Sequence, residues 1–325
     1  MYQTTLPPEQ AIGHILRHNL SAANGRKAFA KGHRIAEADL PRLRELGVTQ
    51  LRVAVLEPGD VHEDEAARRL AEAVCGAGVL ARPPAASRVN LLAEADGIVR
   101  VDVAALLQIN EIDGLTVATL PRNALTRERK RVATIKIIPF AVLEHDLARA
   151  EAIGRAASGG IVALDPLRQQ RVGIVLVGSL SARERIESGV LPAIEGRVTD
   201  LGSTVLGVRY VAPDEPAIAA TLGELRAAGA ELLIVAGETS IMDRDDVTPR
   251  AIELAGGCIE HYGAPVEPGN LLLLAYLGEL PVLGAPGCVR SRDTNIVDLL
   301  LPRLLAGERV ARRDIVELGH GGLLG

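Results

Sequence analysis

Aromatic residues are scarce in this sequence: its 325 residues include 4 Tyr, 2 Phe and no Trp. Hydrophobic residues still make up 48% of the chain, so a core must be built mainly from Val, Leu, Ile and Ala. That content at this length excludes a disordered chain. Single-strand nucleic-acid binders stack bases on aromatic rings, and a formal net charge of -5 is unfavourable near phosphate backbones. We therefore expect no nucleic-acid partner.

Cysteines and long apolar runs are also few. Cys75, Cys258 and Cys288 are far apart and form no CxxC pair, so neither a disulfide framework nor a zinc site is predicted. The most apolar stretch, residues 271–285, contains Glu279 and is shorter than the roughly 20 residues of a membrane span. It predicts two buried strands. Residues 1–19 contain polar residues throughout, unlike a signal peptide, so we expect a cytoplasmic protein without a membrane anchor.

The first two of three predicted regions differ in their patterns. Region 1–76 predicts a small α+β unit, with helices at 8–19 and 60–74 and a strand at 50–56. Region 77–160 is predicted to be β-rich and to end in a helix. Its short β-branched runs and the final helix occupy residues 98–103, 115–120, 132–138 and 142–157.

Region 161–325 alternates apolar strands with amphipathic helices. The predicted strands lie at 172–177, 205–211, 231–236, 271–275 and 282–285, and the predicted helices lie at 183–201, 214–228 and 294–305 and after Thr248-Pro249. This order predicts an α/β fold with a doubly wound, mostly parallel sheet. Ligands of such sheets bind beyond the carboxyl ends of the strands. The expected site therefore includes Gly178 and Ser179, which directly follow the first strand.

The loop after the 231–236 strand combines small, hydroxyl and charged residues. The residues expected to bind a phosphate-bearing ligand are Gly237, Thr239, Ser240, Arg244 and Asp246. A helix is predicted to follow, with Thr248 as its cap, and its dipole favours an anion. Asp243 and Asp245 are candidate ligands for Mg²⁺ and candidate catalytic residues, because Mg²⁺ binds one or two carboxylates together with substrate phosphates. The alternative is a solvated turn whose Asp residues cap a helix.

A second loop, after the 282–285 strand, is the other candidate anion site. Its expected binding residues are Gly284, Pro286, Gly287, Cys288 and Arg290. Arg290 is suited to phosphate because the guanidinium group can donate two parallel hydrogen bonds. We expect Cys288 to be a small packed residue and not a nucleophile.

Four segments of the third region, taken in order, carry a family resemblance. They are residues 172–179, the TSxxDRDDVTP run at 239–249, Glu267-Pro268-Gly269, and residues 284–287. Together they resemble the molybdopterin-binding domain of molybdenum cofactor biosynthesis proteins. The resemblance implies that the ligand is molybdopterin or its nucleotide form, with Mg²⁺ as an accompanying ion.

A closer likeness to one subfamily extends over nearly the whole chain. It rests on NGRKAFAKG (24–32), LEPGDVHEDEAA (56–67), RVNLLAEADGIVRVD (88–102), RVATIKIIPFAV (131–142), GAPGCVRS (284–291) and ELGHGGLL (317–324). In that subfamily the molybdopterin-binding region often precedes a cytidylyltransferase-like domain, so the chain resembles a stand-alone form. The resemblance implies a separate cytidylyltransferase or a molybdenum enzyme as partner, and a homo-oligomer.

Two departures from the family pattern separate three functional hypotheses. Ala236 replaces the first residue of a Gly-Gly pair, with Glu238 before Thr239, and Cys288 replaces an Asn. The first hypothesis is a molybdopterin-binding protein of cofactor biosynthesis or maturation. The second is a Mg²⁺-dependent molybdotransferase, which inserts molybdate into adenylylated molybdopterin. The third is an α/β interaction subunit that has lost the ligand, because the Glu238 carboxylate would repel a phosphate unless it binds a metal or turns away.

Overall fold

The structure, a computed structural model, describes residues 1–324. The chain packs as two compact units, one from Met1 to Asp165 and one from Pro166 onward. The division of the sequence into regions 1–76, 77–160 and 161–325 stays a prediction.

The first unit is mixed α/β. Its paired strands between residues 2 and 143 run antiparallel to one another. Its elements are β1 (Tyr2–Leu6), β2 (Ile15–Leu16), β3 (Leu20–Ser21), β4 (Lys27–Phe29), α1 (Leu40–Glu45), β5 (Leu51–Val55), β6 (Asp60–His62), α2 (Glu63–Val74), β7 (Val79–Ala81), β8 (Arg88–Ala93), β9 (Gly97–Val101), α3 (Val103–Asn110), β10 (Leu115–Thr119), β11 (Leu125–Thr126), β12 (Arg131–Ile137), β13 (Ala141–Leu143), α4 (Glu144–Ala156) and β14 (Val162–Pro166). One apolar cluster lies within residues 11–55 and another within residues 66–164.

The helix predicted at residues 8–19 is wrong. A short 3-10 helix covers only Pro8–Ala11, and Ile15–Leu16 instead forms β2, which pairs antiparallel with β5. Gly13 has a φ of 85°, a left-handed conformation that ends the turn. The apolar spacing at 11, 12, 15 and 16 fits a helix face, but the pairing with β5 buries Ile15 and Leu16 completely.

The second unit alternates strands and helices, as predicted. Its elements are β15 (Arg171–Val177), α5 (Arg183–Gly189), α6 (Leu191–Asp200), β16 (Thr204–Val211), α7 (Glu215–Ala227), β17 (Leu232–Gly237), α8 (Val247–Leu254), β18 (Cys258–Tyr262), β19 (Leu273–Leu277), β20 (Leu280–Gly284), α9 (Ile296–Leu305) and α10 (Arg312–Glu317). The buried pair of strands expected within residues 271–285 is confirmed as the β19–β20 hairpin.

The sheet of the second unit has the strand order β16-β15-β17-β20-β19-β18. The pairs β15–β16, β15–β17 and β17–β20 are parallel, whereas β19 runs antiparallel to both β18 and β20. The predicted mostly parallel sheet is therefore confirmed. Since β19 alone is reversed among these six strands, β18 ends at the same edge of the sheet as β17 and β20.

Both faces of this sheet are buried, because successive side chains of a strand point in opposite directions. Ile174 of β15 packs in one apolar cluster with residues of α5, α6 and α9. Its neighbour Val175 packs in a second cluster with residues of α7 and α8. Helices on both faces explain why β15 and β17 read as continuous apolar runs.

No helix within residues 1–324 has both the length and the apolar character that crossing a membrane requires.

Candidate functional site

The carboxyl ends of three parallel strands place three loops next to one another. In the sheet, Val177 of β15 is paired with Gly237 of β17, and Val235 of β17 is paired with Gly284 of β20. The chain leaves the sheet directly after these positions, at Gly178, Glu238 and Ala285. The loops that the sequence selects are therefore adjacent at one edge.

Three cavities adjoin this edge, and Gly237 lines all of them. The largest has a volume of 270 Å³ and lies between α5 and the end of β17. Its lining residues are Arg185, Ile186, Gly189, Val190, Gly237, Glu238 and Arg290. Two guanidinium groups and one carboxylate thus border this cavity, which makes it suited to a charged ligand.

The second cavity has a volume of 160 Å³ and is lined mainly by small and apolar residues. They are Val177, Gly178, Pro213, Val235, Gly237, Glu238, Thr239, Ile241, Val247, Thr248 and Ala285. A third, of about 10 Å³, is bordered by Thr239, Ser240, Pro286, Gly287 and Arg290 among others. Seven of the predicted residues therefore line a cavity: Gly178, Gly237, Thr239, Ser240, Pro286, Gly287 and Arg290.

Two glycines at strand ends leave no room for a side chain. A Cβ atom added to Gly284 would lie 2.7 Å from Leu273 Cβ and 2.8 Å from Ile241 Cδ1. A Cβ atom on Gly178 would lie 2.5 Å from the hydroxyl oxygen of Tyr210. Gly284 is buried. This predicted residue therefore packs in the core at the start of the loop after β20.

Glu238 is turned toward the loop that follows β15. Its Oε2 accepts hydrogen bonds from Ser179 N at 3.0 Å and from Ser179 Oγ at 2.9 Å. Its Oε1 accepts one from Arg185 Nη2 at 2.9 Å. The amide and hydroxyl of Ser179, with further help from Arg185, lower the pKa of the Glu238 carboxyl. The Glu238 carboxylate is thus turned toward Ser179, and the Arg185 guanidinium partly compensates its negative charge.

The acidic loop after β17 is closed by its own carboxylates. Asp246 Oδ2 accepts hydrogen bonds from Met242 N at 2.5 Å and Asp243 N at 3.1 Å, and Asp243 Oδ1 accepts one from Asp245 N at 3.0 Å. Helix α8 begins at Val247 with Asp246 in the N-cap position. Thr248 was therefore wrongly predicted as the cap, because the helix starts two residues earlier than the Thr-Pro pattern indicates.

Tyr262, at the end of β18, fixes the same loop from its other side. Its hydroxyl donates to Ile241 O at 3.0 Å. Burial and the neighbouring carboxylates of Asp246 and Asp243 raise the pKa of the Tyr262 phenol, so it remains a hydrogen-bond donor at neutral pH.

The predicted magnesium ligands, Asp243 and Asp245, are not among the residues that line the three cavities. Asp243, Arg244 and Asp245 are exposed and border none of the three cavities. Within residues 1–324 no group of three or more His, Cys, Asp or Glu side chains is placed to hold a metal. Two exposed carboxylates fit Mg²⁺ only when ligand oxygens and water complete the coordination.

The loop after β20 is bound both to the β17 loop and to itself. Gly287 N donates to Ser240 Oγ at 3.2 Å, and Arg290 Nε donates to Gly287 O at 2.9 Å. Burial raises the pKa of the half-buried Cys288 thiol. A thiol that stays protonated is a poor nucleophile, in line with the packing role expected for Cys288.

Arg197 of α6 holds this loop from inside the protein. Its side chain is 5% exposed and donates to the carbonyl oxygens of Val289 at 2.9 Å, Ser291 at 2.8 Å and Asp293 at 3.1 Å. It also forms two hydrogen bonds with the Asp298 carboxylate, at 2.8 and 3.1 Å. The backbone that carries Arg290 is therefore fixed by a buried guanidinium.

Sequence reasoning missed Arg185, Arg197 and the contacts of Glu238. Both arginines lie in helices after β15. Arg185 is far in sequence from its partner Glu238, and Arg197 is far from the loop after β20 that it binds. The charged pattern of Arg183 to Glu187 is also that of a solvated helix, so it gave no sign of a site. Glu238 was noticed only as a departure from the family pattern.

Comparisons with known proteins agree with the resemblance seen in the sequence. The family described as a probable molybdopterin binding domain matches residues 173–306, and a domain of unknown function matches residues 5–55. Comparison with curated proteins gives no significant match.

Several solved structures are weakly similar to the chain. Molybdenum cofactor biosynthesis protein B is 17% identical over 43% of this chain and 95% of that chain, with a TM-score of 0.31. The Mog protein from Mycobacterium ulcerans is 18% identical over 41% and 94%, with a TM-score of 0.28. The tungsten cofactor synthesizing protein MoaB from Pyrococcus furiosus is 16% identical over 41% and 89%, with a TM-score of 0.29. At these scores the likenesses carry no argument of their own.

The family match supports a role in molybdenum cofactor biosynthesis. It covers the strands whose ends meet at Gly237 and the three loops that follow them. Residues 173–306 of this chain therefore match the family described as a probable molybdopterin binding domain.

Proposed function

We propose that the chain binds molybdopterin, or a molybdopterin nucleotide, during biosynthesis or maturation of the molybdenum cofactor. The observation that carries this proposal is the meeting of three cavities at Gly237, inside the region that matches the family. This position, beyond the carboxyl ends of parallel strands, is where doubly wound sheets bind their ligands.

The two larger cavities suit the two parts of such a ligand. Arg185 and Arg290 border the 270 Å³ cavity and attract a phosphate. The 160 Å³ cavity, with the Thr239 hydroxyl among apolar neighbours, suits the pterin. Among the described lining residues none is aromatic. Affinity therefore depends on the phosphate and on the hydrogen-bonding edges of the pterin, without ring stacking.

A bound Mg²⁺ would be held by Asp243 and Asp245 together with oxygens of the ligand. It would supply positive charge to the phosphate group. The chain's own contribution is the loop geometry, in which Asp246 accepts a hydrogen bond from the amide of Asp243 and Asp243 accepts one from the amide of Asp245.

Binding is tested by titrating the purified chain with molybdopterin and by assaying purified protein for a fluorescent oxidised pterin. We expect saturable binding that Arg290→Gln weakens by about ten- to a hundredfold, because a charge-assisted hydrogen bond contributes roughly 1.5–3 kcal/mol. Arg313→Gln is the matched control, since Arg313 is 83% exposed on α10 and pairs with Glu317 in the same helix. If neither the wild type nor a Glu238→Gly variant binds any pterin, the proposal fails and the ligand-free interaction subunit remains.

A molybdotransferase is the second candidate function, and the exposed Asp243 and Asp245, which follow Thr239 and Ser240 in the same loop, favour it. The chain is incubated with adenylylated molybdopterin, Mg²⁺ and molybdate. Release of AMP with molybdenum capture, abolished in Asp243→Asn, would establish the transferase. Tight binding without AMP release would contradict the transferase and favour the binding protein.

We also propose that the ligand is passed to a separate cytidylyltransferase or molybdenum enzyme, and that the chain works as a cytoplasmic homo-oligomer. Analytical ultracentrifugation of the purified chain tests the oligomer. A monomer at micromolar concentration would contradict it.

A further inference from the structure

We infer that the Glu238 carboxylate occupies a phosphate-binding subsite of this protein until the phosphate of the ligand displaces it. The inference rests on the proposed function and adds an autoinhibitory contact to it. The subsite is formed by Ser179 and Arg185, and the ligand class is a phosphate-type oxyanion.

The donors that hold Glu238 are those that bind phosphate in proteins. A backbone amide and a hydroxyl, both from Ser179, lie 3.0 and 2.9 Å from Oε2, and the Arg185 guanidinium lies 2.9 Å from Oε1. Charge-assisted hydrogen bonds from guanidinium, hydroxyl and amide groups to an oxyanion are the ordinary means of phosphate recognition. The Glu238 carboxylate therefore satisfies a donor set that a phosphate oxygen would otherwise use.

The two Ser179 donors are held in place independently of Glu238. The hydroxyl of Tyr210 donates to Ser179 O at 2.7 Å and fixes the peptide at the end of β15. The Arg183 guanidinium lies 5.2 Å from the centre of the Tyr210 ring and packs over it. When the carboxylate leaves, the amide and hydroxyl of Ser179 remain positioned for another anion.

The carboxylate is able to leave because it lies at the surface of the cleft. The Glu238 side chain is 30% exposed and that of Arg185 is 72% exposed. Glu238 lines both the 270 and the 160 Å³ cavities, so this residue lies directly beside the space proposed for the ligand. Exposed ion pairs contribute little stability, and a ligand carrying more negative charge can replace such a pair.

Anion titration tests the inference, with inorganic phosphate and pyrophosphate as probes and calorimetry as the readout. Removing the negative charge in Glu238→Gln or Glu238→Ala is expected to tighten binding of both probes by at least about tenfold, because it removes a competing like charge next to the subsite. Adding Arg185→Gln to Glu238→Gln should abolish that gain.

Glu187→Gln is the matched control. Glu187 lies in the same helix as Arg185, pairs with Arg183 and borders none of the three cavities, yet its loss changes the net charge equally. A gain in Glu187→Gln equal to that in Glu238→Gln would overturn the inference, because it would assign the effect to net charge. Unchanged anion affinity in both folded Glu238 variants, with folding checked by circular dichroism, would also overturn it.

Molybdopterin is titrated in parallel to separate this inference from the proposed function. If the Glu238 variants gain phosphate affinity while no variant binds molybdopterin, the subsite stands and the proposed ligand is wrong. If molybdopterin binds to wild type and Glu238→Gln with equal affinity, the proposed function stands and the displacement by the ligand is wrong.

Discussion

At the scale of single residues, Arg197 shows how a buried charge can fix a loop. Its guanidinium lies among three loop carbonyls and the Asp298 carboxylate, all within 3.1 Å. Val289 is buried, whereas Ser291, Asp293 and Asp298 are partly or fully exposed. Removing the guanidinium leaves the Val289 carbonyl without its partner, and a buried polar group that loses its partner is costly.

Arg197→Met is therefore expected to lower the free energy of unfolding by about 1–3 kcal/mol, the usual cost of leaving a buried hydrogen-bonding group without its partner. Chemical denaturation measures the change. Arg313→Met serves as control and is expected to change stability by less than about 1 kcal/mol, because exposed pairs contribute little. Similar losses in the two variants would contradict the role assigned to Arg197.

Tyr276 connects stability with alkaline pH. Burial raises the pKa of its phenol from 10.0 to about 12, while its hydroxyl donates to Val310 O at 2.9 Å. The folded pKa lies above the unfolded value, so this contribution is fully present below pH 10 and is lost as the pH rises toward about 12. Stability should fall in that window by on the order of 1.4 kcal/mol per pH unit from this group. Tyr276→Phe should make the fall measurably shallower in denaturation curves; an unchanged slope would contradict the assignment.

At the scale of elements, the end of β20 depends on the absence of a side chain at Gly284. Gly284→Ala is expected to cost about 1–3 kcal/mol, since the new methyl group would press on Leu273 and Ile241 and overpack the core. Gly223→Ala, on the exposed face of α7 with no atom within 4 Å of the added Cβ, is expected to stabilise by roughly 0.5–1 kcal/mol. Thermal unfolding of the two variants gives the comparison. A neutral Gly284→Ala would show that the strand end can relax.

The strands of the second unit were predictable because burial on both faces leaves a continuous apolar run. Residues 172–177 and 231–236 have this pattern, and β15 and β17 follow it within one residue at either end. The apolar pattern does not predict the structure of Ile15 and Leu16, because their spacing fits a helix face and a short strand equally well. Their pairing with β5 makes them a strand. The pattern also missed β18, whose alternation is interrupted by a register shift between Ile259 and His261.

The candidate site was predictable in position but not in its contacts. The rule for parallel sheets locates the loops after β15, β17 and β20, and small residues there agree with a ligand. The pairing of Glu238 with Ser179, 59 residues away, depends on how the strands are ordered. So does the reach of Arg197 to Val289, 92 residues away. Such contacts follow from the folded sheet and have no local pattern.

At the scale of the whole molecule, the cavities and the hydrogen bonds that shape them lie within the unit that begins at Pro166. This unit has apolar clusters on both faces of its sheet. We therefore expect a fragment of residues 166–325 to fold and to bind inorganic phosphate with an affinity within about threefold of the full chain. Circular dichroism and calorimetry test both parts. A folded fragment with much weaker phosphate binding would show that residues 1–165 contribute to the site.

Two tyrosine hydroxyls hold the loops on either side of the candidate site, Tyr210 at Ser179 O and Tyr262 at Ile241 O. They are half of the four tyrosines in a chain without tryptophan. Tyrosine emission, which tryptophan masks in most proteins, is therefore a direct optical signal in this one, and two of its four sources are attached to these loops. Movement of either loop can therefore be followed through the tyrosine fluorescence of the unlabelled protein.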